Sequence, residues 1–258
     1  MATSTNQKLA VLIDADNAQA SVIQELLAEV SRYGTATIKR AYGDWTTQNL
    51  KGWKEVLHTM AIQPVQQFAY TSGKNATDSA LIIDAMDVLH TGRVDGFCLV
   101  SSDSDFTRLA TRIREAGLMV YGFGDRKTPE PFVAACDKFI YTEILRIDPE
   151  EPKVEVTPAG TSLKLLVEVA ELPELRPMIV TAVDAVARDD GWAPLGPVGS
   201  QMNKNNPSFD PRNYGFAQLS KLMRKQDYLE IKEVPMGDGS TNVHLYVRCK
   251  AVAPSKAG

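Results

Sequence analysis

The chain has 258 residues, 44% of them hydrophobic and 23% charged, enough for one large domain or two smaller ones with real cores. No run approaches the roughly 18 apolar residues of a membrane helix. The start, MATSTNQKLAVLID, lacks the basic region and long apolar core of a signal peptide, so a cytoplasmic protein with no membrane association is expected. Net charge is −4 but unevenly spread: residues 1–160 hold 16 Lys+Arg against 21 Asp+Glu, or −5, and the remainder 12 against 11, or +1. Nucleic-acid binding would therefore need local basic patches rather than an overall field. Cys98, Cys136 and Cys249 show no CxxC spacing, and His58, His90 and His244 are scattered. That pattern argues against zinc, a disulfide framework and a histidine triad.

In chain order, the first half alternates strand and helix. Strands are expected at Lys8–Ile13, Thr35–Tyr42, Ile62–Phe68, Gly96–Val100, Met119–Phe123 and Lys138–Tyr141. Helices are expected at Ala18–Val30, Leu50–Met60, Thr77–Leu89, Asp105–Ala116 and just after Pro129. The third strand belongs at an edge, because Pro64 cannot donate to a ladder. Repeated βα units of this length imply a parallel sheet covered on both faces. Residues 147–162, IDPEEPKVEVTPAGTS, carry three prolines and four acids and read as an exposed linker. Helices follow at Leu163–Glu171, Met178–Arg188, Val198–Lys204 and Tyr214–Lys225, then a hairpin of Tyr228–Val234 and Asn242–Val247. Helices capped by a hairpin describe a winged-helix module, and residues 251–258 read as a disordered tail.

The chemistry-bearing feature is a set of aspartates at strand ends. Asp14 closes the run before LIDADN, and Asp103 and Asp105 follow the run in GFCLVSSDSDF. Asp78 opens the helix TDSALIIDAMDVLH. Sites in parallel α/β sheets form outside the carboxyl ends of the strands, so these acids can converge. A set of carboxylates without cysteine or histidine suits Mg²⁺ or Mn²⁺, as in a metal-dependent phosphodiester hydrolase. Any one of these aspartates alone also reads as a turn residue or helix cap.

The blocks LIDADN, GKNATDSALIIDAMD, VSSDSDF and GLMVYGFG together resemble the NYN branch of the PIN-like ribonucleases, close to the LabA-type group, over residues 6–146. The block GWAPLGPVGSQMNKNNPSFDPRNYGFAQLSKLMRKQDYLEI resembles the OST-HTH domain, also called LOTUS, a winged-helix module associated with RNA. The resemblance implies a PIN-like three-layer α/β/α domain with a mainly parallel sheet in residues 1–146. A winged-helix LOTUS domain would follow in residues 163–250. It also implies Mg²⁺- or Mn²⁺-dependent RNA cleavage, with Asp14, Asp78, Asp103 and Asp105 as the metal-holding, catalytic positions. Asn17 matches a polar position after the first aspartate and Lys74 a recurring position that would meet a phosphate. Asp16 fills a slot where such sequences vary.

Smaller signals extend the substrate surface. Arg126 and Lys127 follow a strand on the presumed site face; Lys39 and Arg40 lie at the end of the second strand, and Trp45 follows it. Asp84 and Asp87 share the helix of Asp78 but not its face. In the second domain Lys221, Arg224 and Lys225 fall outside the apolar stripe of their helix and, with Arg212, would contact phosphates. Trp192 and Tyr214 read as packing residues. The expected protein is an RNA endonuclease with a C-terminal RNA-binding module. The rival is a regulatory RNA-binding adaptor with a weak or inactive nuclease domain. A protein partner through the winged helix and a homodimer both stay open.

Overall fold

The computed structural model describes residues 7–68, 76–146, 174–235 and 243–250. The chain divides into two compact units, residues 1–151 and 152–258. The expected linker, the helix at Leu163–Glu171, Lys74 and the tail all lie outside the described residues.

The first unit is a six-stranded parallel sheet ordered β3-β2-β1-β4-β5-β6. Its strands are β1 (Lys8–Asp14), β2 (Thr35–Gly43), β3 (Gln63–Gln66), β4 (Gly96–Val100), β5 (Met119–Gly124) and β6 (Lys138–Tyr141). Its helices are α1 (Ile23–Val30), α2 (Trp53–Thr59), α3 (Ala76–Thr91), α4 (Thr107–Glu115) and α5 (Glu130–Ala135). β3 sits at an edge, as Pro64 requires. The chain winds outward to β3, then returns to place β4 beside β1. That reversal marks the crevice where doubly wound sheets carry their sites.

The sheet is covered on both faces, and the side-chain period of two explains how an unbroken apolar strand serves both. Leu9, Val11 and Ile13 of β1 pack with α1, α2 and the Cys98/Val100 face of β4. Ala10 and Leu12 pack with α3, α4, α5 and the Phe97/Leu99 face of β4. By the same parity Asp14 and Ser101 project toward the α3 side, although each ends a strand rather than filling the core.

The second unit is winged-helix-like. α6 (Leu175–Val186), α7 (Leu195–Asn205) and α8 (Leu219–Arg224) surround a core containing Ile179, Val183, Val198, Met202, Leu222 and Val247. A three-stranded sheet, β7 (Ala193–Pro194), β9 (Val243–Cys249) and β8 (Leu229–Pro235), completes it in the order β7-β9-β8. Two expectations need correction. The helix expected over Tyr214–Lys225 is broken into a 3-10 turn at Pro211–Tyr214 and the short α8, because Gly215 adopts φ +80°. A residue with that φ ends a helix, and glycine takes it without a Cβ penalty. The two-residue β7 carries no periodic signal and escaped the sequence reading.

Candidate metal centre

Three of the four expected carboxylates meet. Oxygen atoms of Asp78, Asp103 and Asp105 all lie within 4.8 Å of one another, with Asp78 buried, Asp103 half-buried and Asp105 exposed. Asp78 comes from the first turn of α3, where the helix dipole favours a negative charge. Asp103 and Asp105 come from the segment leaving β4, where Asp103 caps a 3-10 turn (Ser104–Phe106) by accepting from the Asp105 amide at 2.9 Å. The capping role and the clustering thus coexist in one side chain.

Asp14 stands beside this trio and is engaged differently. It is fully buried. Its Oδ2 accepts from Asn17 Nδ2 at 2.6 Å and from Ser101 Oγ at 2.8 Å, and its Oδ1 accepts from the Asp16 amide at 3.2 Å. Burial pushes its carboxyl above the usual range, against the pull of the Asn17 and Ser101 hydrogen bonds. Asn17, expected at the substrate, donates to Asp14 through its Nδ2. An asparagine at position 14 would turn its amide group on one of these donors whichever way it pointed.

Ser101 is the residue that the sequence reading missed. Its hydroxyl donates to Asp14 and accepts from the Asp103 amide at 3.1 Å, so it joins the ends of β1 and β4. The segment around it is clamped to β5 by Ser101 N–H to Phe123 O at 3.0 Å and Asp125 N–H to Ser102 Oγ at 2.9 Å. A Cβ at Gly124 would stand 2.7 Å from the Ser101 carbonyl oxygen, so only glycine lets the two strand ends approach this closely. The parity of LVS after the Phe97/Leu99 pattern was the available signal.

The charges here act in one direction. Asp78 is pushed up to about 6, first by burial and then by Asp14, Asp103, Asp105 and Asp16 in that order. Among the described residues no cation is one of those influences. Asp16, exposed, accepts from Thr77 Oγ1 at 2.9 Å and so ties the β1 end to the start of α3. The donor set fits a hard divalent ion. Oxygens bound to one such ion at about 2.1 Å lie roughly 3–4 Å apart, within small rotations of this trio.

The remaining expected contacts are placed as follows. Arg126 is half-buried, its guanidinium 5.4 Å from the centre of the Tyr141 ring, and its amide donates to Glu143. Lys127 is exposed. Arg40 pairs with Asp84 at 2.5 Å, and Asp84 also accepts from the Tyr42 hydroxyl, so this trio fastens α3 to β2. Lys39 donates to the Met60 carbonyl at 2.5 Å. Trp45 donates to the Val65 carbonyl and packs edge-on against Trp53, as a loop anchor. In the second unit Arg212 is paired with Asp210 at 2.8 Å and Arg224 with Glu233 at 2.6 Å. Lys221 and Lys225 are exposed. A cleft of about 850 Å³ between α2 and β3, walled by Trp45, Leu50, Leu57 and Ile62, contains none of the carboxylates.

A doubly wound parallel domain with a carboxylate cluster at its strand reversal, joined to a winged-helix module, defines the class. The NYN domain model matches residues 8–146 and the OST-HTH/LOTUS domain model residues 170–241. The chain belongs to the NYN domain family and carries a C-terminal OST-HTH/LOTUS domain. No curated protein matches it. Among solved structures, a protein of unknown function from Vibrio parahaemolyticus is 19% identical, with TM-score 0.45, over 54% of this chain and 94% of that one. A fragment from Chromobacterium violaceum is 40% identical, with TM-score 0.26, over 33% of this chain and 88% of that one. An uncharacterized protein from Nitrosomonas europaea is 31% identical, with TM-score 0.27, over 42% of this chain and 95% of that one.

Proposed function

We propose that this protein is a Mg²⁺- or Mn²⁺-dependent ribonuclease, acting as an endonuclease, whose second domain binds the RNA. The carrying observation is the meeting of Asp78, Asp103 and Asp105 beside buried Asp14. The family match to a NYN domain and to an OST-HTH/LOTUS domain supports an RNA-related nuclease. Asp78, Asp103 and Asp105 would hold the ion, which supplies charge neutralisation at the phosphoryl oxygens and a more acidic attacking water. The chain's own residues do the rest. Ser101 and Asn17 orient Asp14, whose negative charge lies against Asp78 and strengthens the pull on a cation. Asp103 fixes Asp105 through the Asp105 amide. Lys127, exposed after β5, is a candidate for the phosphate backbone, and Arg126 serves beside it. Lys74 remains a candidate on family pattern alone.

The test is cleavage of labelled RNA by the full chain with Mn²⁺, with Mg²⁺ and with chelator, alongside Asp105→Asn. Asp105 is exposed, so its replacement leaves the core untouched. Metal-dependent cleavage that disappears in Asp105→Asn supports the reading. RNA binding without cleavage in either metal would make the protein an adaptor, and cleavage surviving both chelator and Asp105→Asn would remove the metal centre.

A further inference from the structure

The second unit displays a surface that the sequence reading did not single out. β8 and β9 pair antiparallel, and their inward residues Leu229, Ile231, Val247 and Cys249 pack on the domain core. The alternate residues therefore face outward as cross-strand pairs: Glu230 with Arg248, Lys232 with Tyr246, and Val234 with His244. Glu230 is the one acid among them. Trp192, at the entrance to β7, lies outside the apolar cluster of its domain. Its ring has the Arg248 guanidinium 4.6 Å and the Lys232 ammonium 5.8 Å from its centre. Arg188 stands 5.4 Å from the centre of the Tyr246 ring. Arg248 is steadied by Glu230 at 2.5 Å. Two aromatic rings thus share one sheet face with three cations.

Tyr246 also forms a wall of an adjoining groove of about 480 Å³, with His244 on β9 and Pro194, Gly196 and Pro197 at the start of α7. No side chain caps that end of α7, an 11-residue helix. Its backbone N–H groups and dipole favour an anion there. Leu195, Leu219, Val243 and Leu245 complete its lining and Pro197 has no N–H to offer, so the groove suits the apolar face of a base against Tyr246.

We propose that this face, Trp192, Tyr246, Arg188, Lys232 and Arg248 together with the groove at the start of α7, is a binding track for single-stranded RNA. The proposal rests on the reading of the second domain as the RNA-binding module and assigns that binding to the sheet rather than to α8. Two arguments select the occupant. Glu230 is held by Arg248 and Asp190 accepts from the Trp192 amide, and the cations set against the rings suit a polyanion. Half-buried aromatic rings at a surface gain from unstacked bases, which single strands supply and duplexes withhold. Arg224 and Arg212 beside α8 are paired with Glu233 and Asp210, as Arg248 is with Glu230; what the sheet adds is the Trp192 and Tyr246 rings set against its cations.

The experiment uses the full chain with chelator present, so that no RNA is cut. Binding of a labelled single-stranded RNA of about 12 nucleotides and of the matching duplex is followed by fluorescence anisotropy, beside the quenching of tryptophan fluorescence. Trp192→Leu and Tyr246→Leu should each weaken single-strand binding roughly five- to a hundredfold. The RNA-induced quenching should vanish in Trp192→Leu. Lys232→Gln should lower the slope of log affinity against log salt by about 0.7. Lys221→Gln and Lys225→Gln should change affinity less than Lys232→Gln does. Wild-type affinity in both aromatic variants, with unchanged melting, would overturn the proposal, as would equal affinity for duplex. Where an aromatic variant melts early, the exposed Lys232 decides: an unchanged salt slope in Lys232→Gln overturns the track. If the wild-type chain binds no RNA, the RNA-binding reading itself falls and takes the track with it. If the wild type binds and the sheet variants bind equally, only the track falls.

Discussion

Around Asp78, burial and four aspartates all push the same way, and no cation of the described residues is among the influences on it. Across the outward face of β8 and β9 the situation is reversed, because Arg248 has both Glu230 and the Trp192 ring, and Arg188 has the Tyr246 ring. The first arrangement stores repulsion that an added cation relieves. The second is satisfied at rest and gains from an anion only by exchanging one partner for another. On that basis the carboxylate cluster should respond steeply to single charge changes and the exposed ion pairs of the second unit hardly at all.

The largest effect should come from Asp103→Asn or Asp105→Asn. Either is expected to lower single-turnover RNA cleavage about a thousandfold or more, corresponding to the several kcal/mol contributed by a bound ion. Thermal melting without metal should stay level or rise, because one repelling charge is gone. A large fall in melting temperature would show that these acids are structural and would erase the contrast. Ser101→Ala should come next. It strips buried Asp14 of a donor and the Asp103 amide of an acceptor, with an expected cost of about 1–3 kcal/mol. Urea unfolding of the full chain measures it, and an unchanged midpoint would mean that water replaces the hydroxyl.

The pH dependence sharpens the same comparison. The carboxyl of Asp78 takes up its proton at about 6 in the fold, against 3.8 when unperturbed. The folded state therefore binds more protons than the unfolded one between these values, and folding is penalised above about 6. Without metal, stability should rise as pH falls from 7 toward 4, by on the order of 1 kcal/mol once solvent screening is allowed for. Asp14, also raised, acts in the same sense. Asp78→Asn should flatten the curve, and a curve equally steep in that variant would place its source elsewhere. The smallest effect is expected at Arg224→Ala. Its pair with Glu233 is nearly half exposed on both sides, and such pairs contribute about 0–1 kcal/mol. A larger loss would show that the second unit leans on its surface charges after all.

Much of this was legible in the residues, for reasons that can be stated. The six strands of the first unit are short apolar runs separated by helical stripes, and a parallel sheet has few other ways to bury them. The strand-end aspartates follow from the same logic. What escaped was contact between residues far apart in sequence. Arg40 and Arg224 read as available cations, yet their acidic partners sit 44 and 9 residues away, on other elements. Asp14 reads as one ligand among four, but the donors that occupy its oxygens include Ser101, 87 residues on. Trp192 reads as core because tryptophan usually is. Only the pairing of β8 with β9 shows which residues stand around its ring.

The strand order has a consequence for how activity arises in time. β1, the first strand made, pairs with β2 on one side and waits on the other for β4, with Leu9 meeting Gly96. A nascent chain can assemble β3, β2 and β1 well before β4, β5 and β6 exist. Such long-range parallel pairing is slow, since loop closure precedes its reward. The carboxylates are divided across that seam: Asp14 belongs to the early half, Asp103 and Asp105 to the late half, and Asp78 to the helix between. A half-made sheet therefore has no complete acid cluster, and the cluster is assembled only when the two halves close.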